Sequence, residues 1–168
     1  MAKAVILIGP PGSGKSTIGK LLAKKLKCSF TDTDDVIEKR VGTSISQIFM
    51  DQGEPWFREI EQVVLSEELA KLSGVLSLGG GAPLPPSAQD LLRSIDVAVV
   101  YLSVSLSTAA PRVGFNRDRP LLLNNPRGAW QELMDKRRPI YEDLARHIVV
   151  VDERVPKDIV DEIVRLTQ

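Results

Sequence analysis

The octapeptide Gly9-Pro10-Pro11-Gly12-Ser13-Gly14-Lys15-Ser16 constrains what this chain can fold into more than any other stretch. It matches G-x-x-x-x-G-K-[S/T] in full. A short β-branched apolar run, Val5–Ile8, stands directly before it. A helix-periodic run, Ile18, Leu21, Leu22 and Leu26, stands directly after. Glycines let successive backbone N–H groups turn inward around a phosphate, and the helix N-terminus behind them adds its positive end. Lys15 supplies a point charge for the β and γ oxygens, and Ser16 a hydroxyl for Mg²⁺. A glycine-rich strand–helix turn with a chance lysine would leave this context unexplained. The motif specifies a nucleoside triphosphate with Mg²⁺, but not the acceptor, since motors, switches and kinases share it.

The rest of the chain alternates short apolar runs with helical patterns. Ser29–Asp32, Val75–Leu78, Val97–Leu102 and Ile148–Val151 read as strands. Ser44 with Gln47 forms a capping box opening a brief helix that Gly53 stops. Pro55 suits the first position of a long helix ending at Gly74. Further helices are expected over Gln89–Ile95, over Ser105–Val113 with Pro111 kinking or ending it, over Trp130–Leu144 with a break near Pro139, and from Pro156 onward. Alternation of this kind implies an α/β fold, a parallel sheet with helices on both faces. A length of 168 residues without repeats or linkers implies one domain, 1–168.

Charge narrows the partners. Lysine plus arginine and aspartate plus glutamate each total 22. That balance argues against a dedicated nucleic-acid binder. The balance is uneven along the chain. Asp32 to Glu68 holds ten acidic and three basic residues, and Arg112 to Arg138 seven basic and three acidic. Solvated faces explain most such runs, but here the arginines can also collect around an anionic ligand. Cys28 is alone, so no internal disulfide forms, and no window reaches the length of a membrane span. A cytoplasmic protein bound to neither membrane nor nucleic acid is expected.

Three further stretches bear on the acceptor. Asp32-Thr33-Asp34-Asp35 ends the second strand, where a doubly wound sheet opens its ligand crevice. Asp32 suits a metal or its waters, and Asp34 suits an acceptor hydroxyl. Against this, Asp34 or Asp35 can simply cap the next helix. Arg58 can pair with Glu54 or Glu61 on a helix surface, or clamp a carboxylate. Gly79-Gly80-Gly81 ends the third strand, where three glycines suggest close approach of backbone N–H groups to a ligand. Trp56 and Phe57 suit either an apolar wall or the core.

These motifs occur together with Gly53-Glu54-x-x-Phe57-Arg58-x-x-Glu61, Arg119-Pro120-Leu121-Leu122 and Arg137-x-Pro139-x-Tyr141. In that order the chain resembles shikimate kinases along nearly its whole length. The resemblance implies a small P-loop kinase related to nucleoside monophosphate kinases, with three layers, strand order 2-3-1-4-5 and a mobile lid. It implies transfer of the γ-phosphate of ATP to the 3-hydroxyl of shikimate, with one Mg²⁺ per subunit, by a monomer. Gly12, Ser13, Gly14, Lys15, Ser16 and Thr17 would hold the ATP phosphates, with Ser16 and Asp32 on the metal. Arg112 would stack on adenine and Arg154 lie near it. Asp34, Arg58, Gly79, Gly80, Gly81 and Arg137 would bind shikimate within and beyond a segment of about 32–61, Asp34 being the candidate base. Arg119 would reach the phosphates from a lid over about 112–124, although Arg117 beside it, and Arg138 beside Arg137, compete for these roles. A gluconate-kinase-like enzyme is the nearest alternative. It would not need two arginines around a ring carboxylate. A GTP-hydrolysing switch would need base-specifying loops, and no N-K-x-D occurs.

Overall fold

A computed structural model describes residues 2–113 and 125–168. The element order is β1 (Val5–Ile8), α1 (Lys15–Leu26), β2 (Phe30–Asp32), α2 (Thr33–Val41), α3 (Ile45–Gln52), α4 (Glu54–Ala70), β3 (Val75–Ser77), α5 (Pro86–Ser94), β4 (Ala98–Ser103), α6 (Leu106–Val113), α7 (Pro126–Leu144), β5 (His147–Val150) and α8 (Pro156–Thr167). The strands form one sheet in the order β2-β3-β1-β4-β5, and every pairing is parallel. β1 lies at the centre with all four residues buried, as a strand covered on both faces must be. Helix α1 packs against β3 and α8, whereas α7 packs against β4 and α5. Among the described residues no helix is long and apolar enough to cross a membrane.

The core has two parts. The larger surrounds the sheet, from Val5–Ile8 out to Trp130, Tyr141 and Ile163. The smaller joins Ile37, Ile48, Phe57 and Val64 from α2, α3 and α4. Phe57 is therefore core, with Trp56 packed against it. The smaller cluster fixes the three helices that follow β2 as a unit, and these carry Asp34, Arg58 and Glu61.

Several boundaries differ from the sequence pattern for identifiable reasons. Helix α7 runs unbroken through Pro139. Proline removes one helical hydrogen bond, but Met134, Arg137, Tyr141 and Leu144 are buried on either side and hold both halves in line. Helix α6 likewise continues through Pro111. Helix α4 stops at Ala70, four residues before Gly74. Gly74 instead meets the chain entering β2: a Cβ there would sit 2.4 Å from the Ser29 carbonyl oxygen. Helix α5 begins at Pro86, using proline at its first position, rather than at Gln89. Helix α2 is capped by Asp32, whose side chain accepts from the Asp34 N–H, and not by Asp34 or Asp35.

Candidate active site

The carboxyl ends of β1, β2 and β3 meet at one crevice, as a parallel sheet of this order requires. The phosphate loop leaves β1 there. Gly9 is needed for space, since a Cβ would lie 2.8 Å from the Leu102 carbonyl oxygen. Gly14 adopts φ 89° at the N-cap of α1, a left-handed conformation that glycine reaches without strain. Lys15 folds back over the loop, its Nζ donating to the carbonyls of Gly9 at 2.8 Å and Pro10 at 3.1 Å. Ser16 Oγ donates to Asp32 Oδ2 at 2.8 Å, while Asp32 Oδ1 accepts from the Asp34 N–H at 2.8 Å. One carboxylate thus ties the phosphate loop to the start of α2.

A cavity of about 460 Å³ opens above this loop. Gly12, Ser13, Gly14, Lys15, Ser16, Thr17, Asp32, Asp34, Gly79, Gly80, Arg112 and Arg154 line it. Arg112 Nη1 donates to the Gly12 carbonyl at 3.1 Å. Arg154 is held by the Val150 carbonyl at 2.9 Å and by Glu162 at 2.5 Å. Beside Arg154 the lining is apolar, from Val151, Pro156 and Ile159. One end of the cavity therefore suits phosphate, and the other a flat base against hydrocarbon and guanidinium planes.

The donor set fits a small hard cation. Ser16 Oγ and the Asp32 carboxylate offer oxygen donors adjacent to the loop that would carry the phosphates. Mg²⁺ binds through one or two protein oxygens together with phosphate and water, and needs no all-protein cage.

The glycine turn after β3 owes its composition to side chains packed against it. Its glycines lie outside the left-handed region. What they lack is room: a Cβ on Gly79 would lie 2.6 Å from Asp34 Oδ1 and 3.1 Å from Glu61 Oε2, one on Gly80 3.0 Å from Arg137 Nη1, and one on Gly81 2.3 Å from Arg58 Nη1. Two carboxylates and two guanidinium groups thus converge on three consecutive residues. Thr33 Oγ1 fastens the turn by accepting from the Gly79 N–H at 2.9 Å. Arg58, Gly81 and Arg137 do not line the cavity. They stand just beyond it, joined to it through Gly79 and Gly80.

Arg58 bonds Glu61 at 2.8 Å and, more weakly, Glu54 at 3.4 Å, so both sequence-level pairings form. Its guanidinium carbon also lies 5.2 Å from the Phe57 ring centroid. Glu61 is 1 % exposed, and burial pushes its carboxyl above the ordinary carboxylate value while Arg58 and then Arg137 pull it back. On α7, Arg137 is 6 % exposed and turned inward, whereas Arg138 is exposed. Arg117 and Arg119, and with them most of the expected lid, lie outside the described residues.

Three participants have no role in the sequence reading, Thr33, Trp130 and Tyr141, and Glu61 enters it only as an ion-pair partner of Arg58. Trp130 Nε1 donates to the Pro11 carbonyl at 3.0 Å, and Tyr141 Oη donates to the Gly80 carbonyl at 2.6 Å. Thr33 and Tyr141 stand inside quoted motifs, so their positions are visible in the sequence but not their partners.

A family model described as shikimate kinase matches residues 11–168. A shikimate kinase of Streptomyces avermitilis is 47% identical over 155 residues, covering 92% of this chain and 90% of that protein. One of Salinispora arenicola is 45% identical over 166 residues, covering 99% and 98%. Among solved structures, a shikimate kinase from Acinetobacter baumannii in complex with shikimate superposes with a TM-score of 0.94. It is 33% identical, with 99% of this chain and 93% of that one covered.

Proposed function

The chain belongs to the shikimate kinase family, and from that premise we propose a division of labour among its residues. The reaction is ATP-dependent transfer of the γ-phosphate to the 3-hydroxyl of shikimate. It gives shikimate 3-phosphate and ADP, a step toward chorismate and the aromatic amino acids. The whole chain acts as one kinase domain, a cytoplasmic monomer.

Phosphoryl transfer asks the protein for position and charge stabilisation rather than covalent chemistry. The backbone of Gly12–Thr17 and the Lys15 ammonium hold the ATP phosphates. Arg112 and Arg154 flank the adenine end. Ser16 and Asp32 would hold one Mg²⁺, which would supply neutralisation of phosphate charge when bound. On the acceptor side, Arg58 and Arg137 take the shikimate carboxylate, planar forks meeting a planar anion. The glycine turn supports the ring, and Asp34 at its edge orients the acceptor hydroxyl and receives its proton. Arg119 completes the charge over the phosphates, an assignment that rests on the Arg119-Pro120-Leu121-Leu122 motif.

The observation that carries the acceptor assignment is the convergence of Asp34, Glu61, Arg137 and Arg58 on Gly79–Gly81, beside the phosphate loop. A pocket with two arginines and a nearby carboxylate matches a substrate with one carboxylate and several hydroxyls. Comparing shikimate, gluconate and a deoxynucleoside as acceptors in Mg-ATP assays tests it, with shikimate expected to be phosphorylated and the others not.

A further inference from the structure

Helix α7 carries a stripe at Trp130, Met134, Arg137 and Tyr141, spaced four, three and four, so the four side chains share one face. All are buried, at 2, 0, 6 and 0 % exposure. The two ends of the stripe leave the helix–sheet core to bind backbone carbonyls of different loops. Trp130 Nε1 holds Pro11, in the phosphate loop, and Tyr141 Oη holds Gly80, in the acceptor-side turn. Those loops also touch: the Cβ position of Gly80 is 3.5 Å from Pro11 Cδ, 3.7 Å from the Gly9 carbonyl oxygen and 3.0 Å from Arg137 Nη1. Donor and acceptor halves therefore meet at Gly80, and one helix bonds both.

We propose that Trp130 and Tyr141 are positioning residues, α7 acting as a splint that sets the phosphate loop and the glycine turn at the separation phosphoryl transfer needs. The proposal rests on the reading of Arg137 and the glycine turn as the acceptor site. A rigid helix of about 1.5 Å per residue is suited to this, since it transmits no slack between its two anchors. The Tyr141 bond fixes more than a distance. Holding the Gly80 carbonyl fixes the plane of the Gly80–Gly81 peptide, and so the direction of the Gly81 N–H on its opposite side. Burial pushes the Tyr141 hydroxyl up to about 12, so it remains a donor across the working range of pH.

The structure supplies its own control. The Tyr101 ring lies 5.2 Å from that of Tyr141, and its hydroxyl, also buried, faces Ser103 and Arg138 and bonds neither loop. Tyr101→Phe and Tyr141→Phe thus remove the same atom from neighbouring buried rings, only one of them bonded to the site.

The test is kcat for shikimate phosphorylation, expressed per ADP-binding site counted by calorimetry so that misfolded protein drops out. Tyr141→Phe and Trp130→Phe are each expected to lower it about tenfold, the scale of a sub-ångström misplacement. Tyr101→Phe should stay within about twofold. The double variant Trp130→Phe/Tyr141→Phe should fall well short of the roughly hundredfold product, because releasing either anchor already frees the splint. Multiplicative losses, unchanged single variants, or a Tyr101→Phe loss equal to that of Tyr141→Phe would overturn the proposal. If Trp130→Phe does not fold, the comparison of Tyr141→Phe with Tyr101→Phe decides alone. Wild-type protein that does not phosphorylate shikimate would instead sink the underlying acceptor assignment.

Discussion

Arg58 Nη1 donates to Glu61 Oε1 at 2.8 Å across one turn of α4, and the glutamate is buried while the arginine reaches the glycine turn. Such a pair is costly to bury and costlier to break, because removing one partner strands the other charge. Its use in the proposed site is geometric, since it holds one prong of the proposed carboxylate clamp.

Glu61→Gln keeps the shape and removes the charge. The KM for shikimate should rise about tenfold, equivalent to about 1.4 kcal/mol, with kcat less affected. The pH dependence has a definite sign. Burial raises the Glu61 carboxyl above its ordinary 4.5, so the folded state holds that proton more tightly than the unfolded chain. Ionising Glu61 therefore costs stability. The stability of wild type relative to Glu61→Gln should fall as pH rises from about 4.5 and level off above the raised value, as read by urea unfolding across pH.

The glycine turn is tested by adding single methyl groups. Gly81→Ala places a Cβ 2.3 Å from Arg58 Nη1, and Gly79→Ala one 2.6 Å from Asp34 Oδ1. Their φ values are ordinary, so the turn should survive and the charged side chains should move. Both variants should raise the KM for shikimate by about tenfold or more while ADP binding stays near wild type.

Asp32 serves two structures through its two oxygens. Asp32→Ala should cost about 1 kcal/mol of stability through the lost cap on α2 and raise the Mg²⁺ concentration for half-maximal rate. Ser16→Ala should raise the Mg²⁺ requirement alone. Thermal unfolding beside a Mg²⁺ titration separates the two effects.

Asp34→Asn preserves the packing against Gly79 and removes the proposed base. A kcat lowered by about 10²-fold or more, with the KM for ATP unchanged, is expected from steady-state kinetics. Arg119→Ala should lower kcat by about 10³-fold with a smaller effect on the KM for shikimate.

Much of this arrangement was legible in the sequence. The phosphate loop carries its own confirmation, because the apolar run before it and the helical period after it are local. The alternation of short strands with helices gave a parallel sheet on the same local grounds. What stayed hidden depended on long-range contacts. Glu54 and Glu61 flank Arg58 at equivalent helical spacing, and only the packing of α4 shows that one is exposed and the other buried. Arg137 and Arg138 are adjacent, and the face of α7 distinguishes them. Three glycines point to a close approach, and the sequence does not show that the protein's own Asp34, Glu61, Arg137 and Arg58 make one. Pro139 read as a break because the local rule omits the buried side chains that carry α7 through it.

The most direct measurement of the central claim is ADP formation from Mg-ATP by the purified protein with and without shikimate, its product identified by phosphorus NMR. Shikimate 3-phosphate and ADP formed in equal amounts, with little ADP when shikimate is omitted, is the predicted result. ADP formation indifferent to shikimate, or driven by gluconate or a deoxynucleoside in its place, would contradict it.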